Sequence, residues 1–366
     1  MVQYWRWAFI DGIRKRGKIE MRKTAMRRAL WAFMAVMTVC AAACAAPATL
    51  TVGNTGSSIK PAMVVLAHEK GFYRDEGLDV TIVPIANLND GITAVQLGKL
   101  DILPLGIIPS VTFISKGADL VIYGGTIAEG SQGVTLPENA AQYRDLTAFR
   151  GKRIAVVLPE TGKMIMKDLI RKAGVDVERE VQFVVLNGFQ SVIETVLKGA
   201  ADIGFVNSGF DIIARRRGLA VAVDLKDWAP NSVCCRQTTS RKTFEAKRDA
   251  LVKFQTANLE AYKFYKERPD ETVGLLTAYS GQPEDYVRHC LYDDVMVVTL
   301  DPASRRIKDF YEVMKANGDI DPNTPHGIDK AIDTSIYAEA LDAMQARYPD
   351  SPIFKDLRKR FELEND

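Results

Sequence analysis

Ala67-His68-Glu69-Lys70-Gly71-Phe72-Tyr73-Arg74-Asp75-Glu76-Gly77-Leu78-Asp79-Val80 decides the reading of this chain. It carries the end of a helix, a glycine stop at Gly71 and the entry to a β-rich run, Asp79-Val80-Thr81-Ile82-Val83-Pro84. Upstream, Leu50-Thr51-Val52 is a strand that opens into the polar loop Gly53-Asn54-Thr55-Gly56-Ser57-Ser58. A helix over 61–70 follows, with Pro61 near its start, where a missing N–H costs nothing. Downstream, a helix over 90–97 leads to strands at 101–105 and 120–124 with another helix between them. This β-α-β-α alternation predicts a parallel sheet covered by helices.

The pattern restarts after a polar stretch at 137–143. Strands are expected at 152–157, 181–185, 202–206 and 220–223, with helices at 161–172, 190–198 and 210–216. From Arg241 the chain reads as helices at 247–267, 270–277, 284–291 and 302–316. Gln96-Leu97-Gly98-Lys99-Leu100-Asp101-Ile102 corresponds to Leu197-Lys198-Gly199-Ala200-Ala201-Asp202-Ile203: a helix end, a glycine cap and a strand opening with Asp. The fold class is therefore α/β, with two similar lobes and a helical C-terminal tail.

The 366 residues are 26% charged and 47% hydrophobic with 5 Cys, which excludes a disordered chain and a disulfide scaffold. A net charge of +2 implies no nucleic-acid partner. Residues 1–43 hold nine Lys/Arg against two Asp/Glu, a net of +7, leaving about −5 for the rest. Arg22, Lys23, Arg27 and Arg28 precede the apolar run 29–37 and a small-residue run to Ala46, the pattern of a secretory signal peptide starting at Met21. Residues 1–48 are thus expected to be a leader. Ala41-Ala42-Ala43-Cys44 resembles a lipobox, which would make Cys44 a lipid-bearing N-terminus; cleavage near Ala46-Pro47-Ala48 is the alternative. Either exit places the protein in the periplasm or on the outer face of the cytoplasmic membrane.

From about Leu50 to about Thr299 the chain resembles the type II solute-binding proteins of ABC importers, in the class serving nitrate, sulfonate, taurine and thiamine-pyrimidine precursors. The residues that carry the resemblance are 67–80, the Gly98 to Asp101 element, and Asp145-Leu146 leading to Arg150-Gly151-Lys152-Arg153-Ile154-Ala155-Val156. The resemblance implies two lobes joined by crossover strands, 49–136 plus 236–366 and 137–235, closing on a small-molecule ligand. It also implies an ABC permease as partner, a monomer, and no enzymatic activity or cofactor. Some members of the class resemble the yeast-type thiamine-pyrimidine synthase, which consumes its own His with pyridoxal phosphate. Glu160-Thr161-Gly162-Lys163 and Cys234-Cys235-Arg236-Gln237 sit where that branch has a phosphate loop and a Cys-rich run. Gly106 and Ser110 stand where it needs a Lys and a His, which argues against that chemistry.

In open α/β sheets ligands sit beyond the carboxyl ends of strands, near helix N-termini. The candidate ligand residues are accordingly Asn54, Thr55, Ser57 and Ser58 after the first strand, and Gly106 and Ser110 after the 101–105 strand. In the second lobe they are Glu160, Thr161, Gly162 and Lys163, then Asn207 and Ser208. Free N–H groups at 161–163 would favour an anion, with Lys163 as counter-charge, although Glu160 opposes a simple anion site. Arg236 at the hinge is expected to clamp a carboxylate or sulfonate. Ser and Asn at these positions equally serve as turns and helix caps, and Arg236 as a solvated cation. Cys290 with Cys234 or Cys235 would permit a disulfide after export; buried free thiols are the alternative. No metal site is expected, since His68, His289 and His326 lack metal-ligand spacing.

Overall fold

A computed structural model describes residues 46–128 and 130–365. Residues 1–45 of the expected leader, with the start at Met21 and with Cys44, lie outside the described residues, whereas Ala48, its expected last residue, already opens the first strand. The repeated Gly-x-x-Asp element acts in the same way in both copies. Gly98 and Gly199 take positive φ (68° and 65°), a backbone conformation open to glycine, and each turns the chain out of a helix. Three residues on, Asp101 Oδ2 accepts Thr51 N–H at 2.8 Å, and Asp202 Oδ2 accepts Arg153 N–H at 2.7 Å. Each carboxylate thus satisfies a strand-entry donor and sets the neighbouring strand in register. The pseudo-repeat visible in the sequence is a repeated hydrogen bond.

In the first lobe, β1 (Ala48–Asn54) pairs in parallel with β2 (Leu78–Pro84). The 101–105 segment, expected as a strand, makes only isolated bridges, from Ile102 to Val52 and from Leu103 to Thr238. Pro104 cannot donate to a ladder. Those bridges join β1 to an antiparallel set ordered β10 (Val297–Val298), β3 (Leu120–Ala128) and β9 (Val233–Ser240). The second lobe is a five-stranded sheet, ordered β6 (Gln182–Leu186), β5 (Arg153–Val157), β7 (Ile203–Asn207), β4 (Ser131–Thr135) and β8 (Ala220–Asp224). β5 is parallel to both its neighbours, whereas β4 is antiparallel to β7 and β8. The chain changes sheets between Ala128 and Ser131 and returns between Asp224 and Val233. These two passages are the crossovers of a type II periplasmic-binding-protein fold.

Helix Ala62–Lys70 ends as expected: Gly71 at φ 81° returns its N–H to Ala67 and His68 carbonyls. Its residues Ala62 to Ala67 are all buried. They pack with helix Arg248–Glu267, where Tyr73 stacks on Phe254 at 4.9 Å and its hydroxyl donates to Asn258 at 2.7 Å. The C-terminal helices Ser335–Arg347 and Pro352–Asn365 close the first-lobe core through Ile336, Leu341, Met344 and Phe354. Among the described residues no helix is long and apolar enough to cross a membrane.

Candidate functional site

Three strand ends of the second lobe converge on one carboxylate. Glu160 follows β5, and its Oε1 accepts Gly162 N–H (3.0 Å), Asn207 Nδ2 (2.9 Å) and the Ser131 hydroxyl; Oε2 accepts Lys163 N–H. Asn207 ends β7 and also donates to Ser131 Oγ at 3.0 Å, at the start of β4. Glu160 is therefore the N-cap of helix Thr161–Lys172, buried and matched to the positive end of that helix. Gly162 is required here: a Cβ on it would lie 2.2 Å from Ser131 Oγ.

Opposite stands Lys60, in the loop between β1 and helix Ala62–Lys70. Its Nζ has no carboxylate within ion-pairing distance among the described residues. Burial alone would lower its pKa, but neighbouring negative charge, chiefly at Cys234 and then at Glu160, outweighs burial and raises it, so Lys60 stays an ammonium at neutral pH. Asn54 holds the loop by donating to Ser58 carbonyl (3.0 Å) and Tyr279 hydroxyl (2.9 Å).

Between these groups lies a cavity of about 170 Å³. The first lobe lines it with Thr55, Ser58, Lys60, Gly106, Cys234 and Cys235, and the second with Pro159, Glu160, Thr161 and Asn207. Leu88, Leu105, Ile108 and Phe189 supply its apolar wall. The backbone at Gly106 bridges Cys235, and a Cβ there would meet Leu88 at 2.8 Å. Other hollows exist, such as one of about 290 Å³ beside Trp228 and Phe310, but they lie away from the facing strand ends.

Thr55, Ser58, Gly106, Glu160, Thr161 and Asn207 are thus brought together, while seven expected contacts lie off the cavity lining. Asn54 is spent on the loop, and Ser57 is exposed and outside the lining. Ser110 is fully buried, its hydroxyl 2.8 Å from that of Thr238. Of the N–H groups expected to be free at 161–163, those of Gly162 and Lys163 are occupied by the Glu160 carboxylate. Lys163 Nζ sits over the Phe183 ring, 5.1 Å from its centroid, and burial lowers its pKa. Ser208, at φ 57°, gives its carbonyl to the Tyr286 hydroxyl.

Arg236 requires the largest correction. It is 1% exposed and donates inward to the carbonyls of Pro302 (2.8 Å), Ile127 (3.1 Å) and Cys235 (2.8 Å). Burial lowers its pKa to about 10, so it is still a cation. It lines a separate cavity of about 180 Å³ with Asp301 and Tyr337, and fastens the crossover strands rather than a ligand. Residues alternate sides along β9, and only the register with β3 decides which side faces the cleft. Lys60 was legible in the sequence as a lysine in a candidate loop next to a helix start, but nothing local shows that it points inward.

The strand-end cavity can be set beside known proteins. The model of the family described as NMT1/THI5 like matches residues 59–272. The chain belongs to that family. It is 25% identical over 251 residues to the 4-amino-5-hydroxymethyl-2-methylpyrimidine phosphate synthase of Legionella pneumophila, covering 67% of this chain and 76% of the relative. To the synthase of the same name in Candida albicans it is 27% identical over 141 residues, 38% of this chain and 40% of the relative. This family member therefore spans well under two thirds of the Candida relative. Its fold is shared with the periplasmic nitrate-binding protein NrtA of Synechocystis PCC 6803 (TM-score 0.66, 15% identity, 84% of this chain and 92% of that one). The periplasmic aliphatic sulphonate binding protein SsuA of Escherichia coli is likewise similar (TM-score 0.62, 17% identity, 76% and 90%).

Proposed function

We propose that this chain is the extracytoplasmic solute-binding component of an ABC importer, holding a small polar or anionic organic compound between its lobes and presenting it to a permease. One observation carries the reading: a single cavity is walled by strand ends of both lobes, with the Lys60 ammonium on one side and the Glu160–Asn207 pair on the other. The two lobes, with β4 in the second and β9 in the first so that their boundaries fall at the 128–131 and 224–233 crossovers rather than at 136 and 235, would close on the ligand by bringing those groups together. Ligand shifts that equilibrium only by binding the closed form more tightly.

The size supports a compact ligand. A cavity of about 150 Å³ in another protein holds one benzene ring, so about 170 Å³ suits one ring or a short sulfonate. Lys60 offers a cation and Thr55 and Ser58 offer hydroxyls, whereas Asn207, its two N–H groups spent on Ser131 and Glu160, is left with only its Oδ1 as an acceptor. Such a set fits a taurine- or nitrate-like anion, or an aminopyrimidine with donor and acceptor edges. Micromolar binding requires about 8 kcal/mol, which a charge-assisted hydrogen bond and several neutral ones supply alongside ring burial.

The curated relatives' names favour a second reading, a pyrimidine synthase. Pyridoxal phosphate would come with it, and the residues do not fit that group. Lys60 brings an amine to the cavity, but Gly106 and Ser110 supply neither the Lys nor the His at the positions where that branch needs them. Ser110 is turned away onto Thr238, and the Gly162 and Lys163 amides that would seat a phosphate are taken by Glu160. A thermal-shift screen of taurine, alkanesulfonates, nitrate and aminopyrimidines tests the proposal. Ligand at a hundredfold excess over its Kd adds about 2.7 kcal/mol, and scattering should show a smaller radius of gyration with the hit. Turnover of the hit, or a protein that no compound stabilises, would overturn the reading.

A further inference from the structure

The cavity contains a pair of thiols that solute binding does not use. Adjacent residues on a regular strand point to opposite faces, so Cys234 and Cys235 should not share a surface. Here the register places Val233 opposite Ala128 and Cys235 opposite Ile127, which leaves Cys234 as the extra residue of a β-bulge. The bulge turns both side chains to the cavity lining, and their sulfurs lie 3.7 Å apart. The remaining described cysteine, Cys290, is buried elsewhere and donates to the Ser208 carbonyl at 3.3 Å.

The surroundings distinguish the two sulfurs. Either sulfur can donate in the contact between them; with Cys235 as donor, that bond lowers the Cys234 pKa against the cost of burial, and the Lys60 ammonium and the Thr161 hydroxyl act in the same direction. Cys235 is pushed the opposite way, chiefly by that same bond and by burial, and stays a thiol. A thiolate is the nucleophile of cysteine chemistry, and a neighbouring thiol is the usual means of resolving its oxidised form. Cys290, by contrast, is pushed up to about 12 by burial.

We propose that Cys234 and Cys235 form a hydroperoxide-sensitive dithiol inside the ligand cavity, with Cys234 the attacking sulfur and Cys235 the resolving one. The Cys234 thiolate attacks one oxygen of a hydroperoxide; the O–O bond breaks, the alkoxide or hydroxide leaves and takes up a proton, and a sulfenic acid remains. Cys235 then attacks that sulfur, the S–O bond breaks, and water leaves with the Cys235 proton. Two thiols are oxidised to one disulfide while the hydroperoxide is reduced to an alcohol or water, plus the water of the second step. The product removes the negative sulfur beside Lys60 and ties two cavity-lining side chains together. This inference stands apart from the transport reading, since it holds whatever ligand the cavity takes.

The test treats the full chain, reduced and freed of reductant, with hydrogen peroxide, and follows the 234–235 peptide by mass spectrometry. Wild type should lose two hydrogens within that peptide. Cys235→Ser should instead be trapped as a sulfenic acid at Cys234, labelled by dimedone, and Cys234→Ser should form neither species. Lys60→Met leaves both thiols in place and should slow the reaction at neutral pH by about tenfold, the loss expected when a thiolate lacks its cation. The proposal is overturned if the 234–235 peptide stays reduced while Cys290 oxidises, if Cys234→Ser reacts as fast as wild type, or if Lys60→Met leaves the rate unchanged.

Discussion

Replacing Glu160 by Ala tests the core of the second-lobe site. The carboxylate accepts two helix-start N–H groups and the side chains of Ser131 and Asn207. Loss of an N-cap costs about 1 kcal/mol. Leaving the Ser131 and Asn207 donors without an acceptor adds about 1 kcal/mol each, at the low end of the range because water can enter the cavity. The total is about 3 kcal/mol. At about 2 °C per kcal/mol for a folded unit of this size, Tm should fall by about 6 °C. Glu160→Gln keeps the volume and one acceptor, and should lose about half as much. The vacated seat combines Gly162 and Lys163 amides with Asn207 and Ser131, which is an anion site. Sulfate should therefore restore part of the Tm of Glu160→Ala, while wild type, whose seat is filled by its own carboxylate, gains nothing beyond the ionic-strength effect seen with chloride. Scanning calorimetry of the three proteins in sulfate and in chloride at matched ionic strength is the assay. A Tm for Glu160→Ala within about 1 °C of wild type would refute the capping argument, and equal sulfate gains in both would refute the vacated seat.

Lys60→Met keeps most of the side-chain length and removes the charge; an anionic ligand found by screening should bind at least about tenfold more weakly by titration calorimetry, that is about 1.4 kcal/mol, and a neutral ligand should change little. Arg236→Leu strips the donor from three buried carbonyls and should cost about 3 kcal/mol in urea unfolding, yet leave the ligand Kd within about twofold, because Arg236 lines a different cavity. Hydrogen bonds from Arg153 hold the Asp202 carboxyl below its usual range, with burial opposing and losing. A depressed folded pKa gives stability that is present above the unfolded value near 4 and lost as pH falls through the folded one. Urea midpoints of wild type should thus fall more steeply below about pH 4 than those of Asp202→Asn, and parallel curves would show that this pair does not contribute.

The elements of both lobes were legible because their signals are local. Gly71, Gly98 and Gly199 stop helices where only positive φ continues the chain, and alternating strand and helix periods around them fix the α/β class. Glu160 was legible as a residue at a strand-to-helix turn, but its role was not. Whether a carboxylate at that turn leaves the N–H groups free for a ligand or takes them itself depends on χ angles and on Ser131 and Asn207, 29 and 47 residues away. β4 escaped the reading, since Ser131-Gln132-Gly133 carries no apolar alternation and finds its place only between β7 and β8.

The sequence by itself determined the family, the two-lobed architecture and the loops from which a site would be built, because motif spacing and periodicity are properties of neighbours along the chain. Tertiary structure alone decided which side chains face the cleft. The β3–β9 register turns Arg236 inward to carbonyls and, through a bulge, turns Cys234 and Cys235 together toward Lys60. Strand direction alternates at every residue, so a shift of one position reverses the choice, and only pairing between distant segments sets that register.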